Sequence, residues 1–118
     1  VARWLEARPE VAAVHYPALE SHPDHALWKR DFKGASGLFA FTLKSNDHEA
    51  ARRFADGLDY FGIGSSWGGF ESLITLPHPT RNHEASVDDR VLVRLHVGLE
   101  DPDDLIADLA AGLTTQFK

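Results

Sequence analysis

The nine residues RVLVRLHVG, Arg90 to Gly98, constrain the fold more than any other stretch of the chain. Strict alternation sets Val91, Val93, Leu95 and Val97 on one side of an extended strand and Leu92, Arg94 and His96 on the other. Four aliphatic residues in that register need a covered face, so this strand belongs inside a sheet with a packed layer against it. Arg94 then stands on the opposite side, midway along an apolar strand, where its guanidinium needs an acceptor. Two partners are open on spacing alone. One is a carboxylate of the chain itself, which has eleven aspartates; the other is the anionic group of a ligand.

The remaining elements follow from periodicity and end signals. VARWLEARPE reads as the tail of a helix, with Val1, Leu5 and Trp4 on one side before Pro9 stops it. VAAVHYP reads as a brief strand. In SHPDHALWKRDF, Ser21 or His22 precedes Pro23 at the favoured first helical position, with Ala26, Leu27 and Phe32 as apolar followers. GASGLFAFTL is apolar on both sides, with Leu38, Ala40 and Thr42 facing one way and Phe39, Phe41 and Leu43 the other, which predicts an internal strand.

Asn46 with Glu49 three residues later has the spacing of a capping box, and Ala50, Phe54, Ala55 and Leu58 form the stripe behind it. Asp101, Pro102, Asp103 and Asp104 open a last helix whose stripe is Leu105, Ile106, Leu109 and Leu113. YFGIG and ESLITLP read as strands around a Ser-Trp-Gly-Gly turn, and the polar HPTRNHEASVDD as a loop. The expected order is helix, strand, helix, strand, helix, three strands, helix. That is an α/β (α+β) domain spanning residues 1–118, with a mainly antiparallel sheet and helices packed on one face.

Composition narrows the function classes. At 118 residues the chain fits one domain, and its net charge of −6 disfavours nucleic acids and anionic membranes as partners. With no cysteine, disulfides, thiolate catalysis and cysteine-based zinc sites are excluded. The lack of cysteine fits a reducing cytoplasm, where the protein is expected, and no apolar run approaches a membrane span. The chain opens on Val1 inside what reads as a helix under way, so a longer parent is expected.

Two constellations invite chemistry and carry little of it. His22, Asp24 and His25 are a tight histidine cluster, but His22 falls outside the helix start, so no metal site is expected there. Gly62, Gly64, Gly68 and Gly69 loosely resemble a phosphate loop, yet a strand follows instead of a helix and no lysine stands at the required place.

FGIGSSWGGFESL, followed about twenty residues later by LVRLHVGLEDPDDLIADLAAGL, resembles the C-terminal portion of the Cys/Met-metabolism family of pyridoxal-phosphate enzymes, of aspartate-aminotransferase-like fold type I. YPALESHPDHALWKRDFKGASGLFAFTL is similar to the family's segment entering the small domain, so the resemblance covers nearly the whole chain. Ser-Trp-Gly-Gly with Glu-Ser after it leans toward the cystathionine β-lyase branch, since the synthase and γ-lyase branches usually carry leucine where Trp67 stands.

The resemblance implies a division of labour. A large N-terminal domain, absent here, would carry the Schiff-base lysine and most contacts to pyridoxal 5'-phosphate. No catalytic residue and no direct cofactor ligand is then expected in this chain, and residues 1–9 would close an interdomain helix. The small domain would bind the α-carboxylate of a small-molecule substrate, cystathionine, through Arg94, with Ser66 and Trp67 beside it. The parent would be a homotetramer. Trp67 is expected either to cap the ligand cleft or to be an ordinary packed loop residue. The implied activity is carbon-sulfur lyase chemistry, with a γ-synthase or γ-lyase, or a non-catalytic binding module, as the alternatives.

Overall fold

A computed structural model describes residues 1–78 and 89–117. Nine elements appear in the expected order: α1 (Ala2–Glu6), β1 (Val11–His15), α2 (His25–Asp31), β2 (Leu38–Leu43), α3 (His48–Asp56), β3 (Gly62–Ile63), β4 (Leu73–Thr75), β5 (Leu92–His96) and α4 (Pro102–Gln116). The predicted loop between β4 and β5 falls largely at 79–88, outside the described residues.

The strands form one sheet in the order β1-β2-β5-β4-β3, so the strand carrying Arg94 is central. Strand β5 runs antiparallel to both neighbours, with Phe41 opposite Val93 on β2 and Ile74 opposite Leu95 on β4. The sheet is mainly antiparallel, as expected. The exception is β3 with β4, which pair in parallel through Gly62–Leu73 and Ile63–Ile74. Two parallel neighbours cannot be joined by a tight hairpin. The Ser-Trp-Gly-Gly segment is therefore part of a crossover and not the simple turn the sequence pattern predicts, and that difference brings it over β5.

Alternation along the strands separates the two faces of the sheet. Phe39, Phe41, Leu43, Ile74, Val91, Val93 and Leu95 join Leu5 of α1, Phe54 of α3, and Leu105, Leu109 and Leu113 of α4 in one buried cluster. Helices α1, α3 and α4 thus cover one face. Helix α4 starts as the sequence predicts, with the Asp101 side chain accepting from the Asp103 amide and Pro102 in the first turn. Helix α3 starts one residue later than predicted. Asp47, not Asn46, accepts from the Ala50 amide at 3.0 Å, while the Asn46 side chain donates to Asp89 Oδ2 at 3.2 Å.

Helix α2 departs further from expectation. It begins at His25 with Asp24 at its cap, so Pro23 lies in the preceding turn. There the His22 ring accepts from the Asp24 amide at 3.0 Å, and His25 Nδ1 donates to the Pro17 carbonyl at 2.9 Å. Those two bonds use both rings of the histidine cluster to shape the turn. No α2 residue is buried, and Leu27 and Phe32 are exposed. The buried cluster draws its helical residues from α1, α3 and α4, and none of α2 joins it.

Candidate functional site

The open face of the sheet is the one opposite the helices. Arg94 stands near its middle, directly across from Ala40 on β2 and Thr75 on β4. Side chains directly opposite share a face. Two small neighbours leave room around a long side chain, so the guanidinium is half-buried and not packed over.

One Arg94 donor is committed. Nη2 donates to the Ser65 carbonyl, at the start of the crossover loop. The ion pairs among the described residues are Arg8–Glu10, Arg30–Asp31 and Arg52–Glu49, and none involves Arg94. The intradomain salt bridge open from the sequence is thus not formed by any described carboxylate. A guanidinium has five N–H donors in a planar fork, so one bond to a carbonyl leaves a two-pronged face for a carboxylate.

Ser66 and Trp67 follow Ser65 directly. Both are exposed, and Trp67 keeps 65% of its surface accessible. Gly68 has φ of +86°, in the left-handed region that a side chain resists, and this residue lets the chain reverse over β5. The loop places Ser66 and Trp67 next to the carbonyl that Arg94 holds. No hydrogen bond joins either side chain to Arg94.

The far end of the loop is tied at several points. His96 Nε2 donates to the Gly69 carbonyl at 3.0 Å, and the Leu99 amide donates to the Phe70 carbonyl at 2.9 Å. Ser72 is buried. Its amide and hydroxyl donate to Glu100 Oε1 and Oε2 at 3.1 and 2.7 Å, while its oxygen accepts from the Gly98 amide at 2.9 Å. The Ser72 hydroxyl holds the Glu100 carboxyl below the usual carboxylate range; burial pushes the other way, and the Ser72 amide and nearby His96 add to the lowering. Gly98 is required by contact, since a Cβ there would lie 2.2 Å from the Phe70 carbonyl oxygen.

His96, Ser72 and Glu100 were not singled out by sequence reasoning. Alternation had already put His96 on the side of Arg94, which was the available signal. Ser72 and Glu100 lie 28 positions apart, and no local pattern links them. Among the described residues no group of histidines and carboxylates is arranged to hold a metal ion.

A family model described as Cys/Met metabolism PLP-dependent enzyme matches residues 1–114. The chain belongs to that family. Among its relatives, cystathionine beta-lyase MetC of Escherichia coli (strain K12) is 47% identical over 120 aligned positions, covering 95% of this chain and 30% of the relative. An L-alanine/L-glutamate racemase of Wolbachia pipientis wMel is also 47% identical, over 118 positions, with 96% and 29% covered. The crystal structure of cystathionine gamma synthase from Xanthomonas oryzae pv. oryzae, in complex with aminoacrylate and cysteine, superposes with a TM-score of 0.81 at 38% identity, covering 96% of this chain and 31% of that one. The chain therefore spans about 30% of the length of the PLP-dependent relatives it matches. None of the helices among the described residues is long and apolar enough to cross a membrane.

Proposed function

We propose that this chain is the substrate-binding C-terminal domain, residues 1–118 with 1–9 closing an interdomain helix, of a cytoplasmic, tetrameric PLP-dependent cystathionine β-lyase. The parent cleaves cystathionine to homocysteine, pyruvate and ammonia. The observation that carries the reading is Arg94: a central-strand arginine between Ala40 and Thr75, with no described carboxylate paired to it, beside an exposed loop. An α-carboxylate fits the donors that the Ser65 bond leaves over.

When bound, PLP supplies the electron sink for the carbanion at the substrate Cα. The residues around Arg94 fit the substrate end of that chemistry and not the cofactor end. Lys29 and Lys33 lie in and just beyond α2, and Lys44 follows the end of β2, so no described lysine is on the strand or loop that carry Arg94, Ser66 and Trp67. The lysine that links to the cofactor, and most of the cofactor's pocket, are assigned to the rest of the parent. The isolated chain is then inactive. In the parent, Arg94 fixes the carboxylate, Ser66 offers a hydroxyl beside it, and Trp67 walls the cleft. Together they hold the substrate so that its Cα proton is presented in one direction.

The relative named as a racemase and the γ-synthase neighbour both bear on this reading. A carboxylate grip serves any α-amino acid, whereas the bond that breaks depends on the other end of the substrate. The thiol released from cystathionine, homocysteine or cysteine, separates β- from γ-cleavage. Arg94→Ala in the full-length parent is expected to lower kcat/KM for cystathionine by about 2 to 5 kcal/mol, roughly thirty-fold to several-thousand-fold, with the melting temperature little changed. Arg94→Lys recovers little, because a point charge cannot reproduce two parallel bonds. Near-normal kcat/KM in both variants, or loss that only tracks unfolding, would make Arg94 a structural residue.

A further inference from the structure

We propose that His96 is a positioning residue for substrate binding, clamping the loop that carries Ser66 and Trp67 at the end opposite Arg94. Two residues apart on β5, the side chains of Arg94 and His96 share one face, and each donates to a backbone carbonyl of the same loop, Arg94 to Ser65 and His96 to Gly69. The three residues strung between those carbonyls are Ser66, Trp67 and Gly68. Gly68, with its positive φ, lies next to the held carbonyl, so the bond fixes the point where the loop reverses. Losing it frees the reversal while Arg94 still holds the entry, and Ser66 and Trp67 then sample other directions.

The chemistry of the ring singles it out from packing. A carbonyl can only accept, so Nε2 carries the hydrogen. His96 is 7% exposed, and its Nδ1 is a buried side-chain atom without a partner, the one such atom among the described residues. An apolar residue between Leu38 and Leu73, its cross-strand neighbours, would fill the place with no orphaned nitrogen. Histidine here leaves one ring nitrogen unmet and uses the other on a single loop carbonyl.

This inference rests on the reading of the loop as the substrate-binding edge, and its test separates the two. In full-length, PLP-loaded parent enzyme, His96→Leu removes the donor while keeping bulk, and His96→Gln returns a donor on a side chain of similar reach. Hydrogen exchange at the Leu99 amide, which donates to the Phe70 carbonyl next to the held Gly69, needs no substrate. It is expected to quicken about ten-fold in His96→Leu, the worth of one net hydrogen bond. KM for cystathionine should rise by a similar factor with kcat less affected, and His96→Gln should recover most of both. Unchanged exchange and KM in His96→Leu overturn the proposal, as does a glutamine variant no better than leucine. So does a kinetic loss matched by a fall in melting temperature. An Arg94→Lys enzyme of normal KM sinks the carboxylate reading by itself and leaves the exchange result to decide His96.

Discussion

The two faces of the sheet are held by different physics. On the helix side, the side chains of Phe41, Val93, Leu95, Leu105, Leu109 and Leu113 are fully buried and, being hydrocarbon, make no directional bond. On the other side Arg94, His96 and Thr42 all bond: Arg94 and His96 to loop carbonyls, and Thr42 Oγ1 to His15 Nε2 at 2.7 Å. Apolar burial is proportional to area and indifferent to direction, so it stabilises the domain without fixing any one loop. Hydrogen bonds to named carbonyls add little net stability but select one shape. Stability should therefore respond to the first face, and ligand geometry to the second.

The strongest way to break that contrast is on the packed side. Leu109 is fully buried in the middle of α4, and Leu109→Ala is expected to lower unfolding free energy by about 2 to 5 kcal/mol in denaturant titrations. Enzyme that remains folded should keep its KM. A selective KM change would mean that the packed face also sets the site.

Gly98→Ala sharpens the comparison because it strikes the junction between the faces. The new methyl would meet the Phe70 carbonyl oxygen at 2.2 Å and the Glu71 backbone at 2.7 Å, and backbone cannot step aside as a side chain can. The variant should lose about 3 kcal/mol and also release the loop, so stability and KM worsen together.

Most of the packed face was legible in the sequence and much of the other was not, for a physical reason. Val91, Val93 and Leu95 repeat every second residue and Leu105, Leu109 and Leu113 every fourth, and burial requires those periods. The bonds from Arg94 to Ser65 and from His96 to Gly69 span 29 and 27 residues and end on backbone atoms, which leave no trace in residue identity. The side of Arg94 could be read from alternation; what it holds could not. The parallel pairing of β3 and β4 was missed because two short strands around glycines resemble a hairpin. In and just after α2, Leu27 and Phe32 gave a core pattern without a core to join.

Glu100 should show a smaller effect with a pH signature. Glu100→Ala leaves the buried Ser72 hydroxyl and amide without their acceptor, a loss of about 1 to 2 kcal/mol. Its folded-state pKa is lowered, so the wild-type carboxylate contributes stability that is fully present above the unfolded carboxyl's range. That contribution fades as pH falls through the folded value. The gap in stability between wild type and Glu100→Ala should thus be constant near neutrality and narrow in acid. A gap that widens on acidification would show that the carboxylate does not hold Ser72.

The smallest stability effect is expected at the most conspicuous side chain. Trp67 is 65% exposed, makes no hydrogen bond among the described residues and lies outside the buried cluster. A Cβ built on its glycine neighbours 68 and 69 would meet nothing within 4 Å, so the loop around the indole is loosely surrounded. Trp67→Leu should therefore change unfolding free energy by less than about 0.5 kcal/mol. In the full-length parent, the same substitution should alter the ratio of kcat/KM between cystathionine and a shorter sulfur amino acid, since a smaller side chain leaves the cleft wider. Unfolding curves and paired substrate kinetics on one preparation decide it. A large drop in stability would place the indole in the structural core, and an unchanged substrate ratio would remove Trp67 from the site while leaving Arg94 and His96 in it.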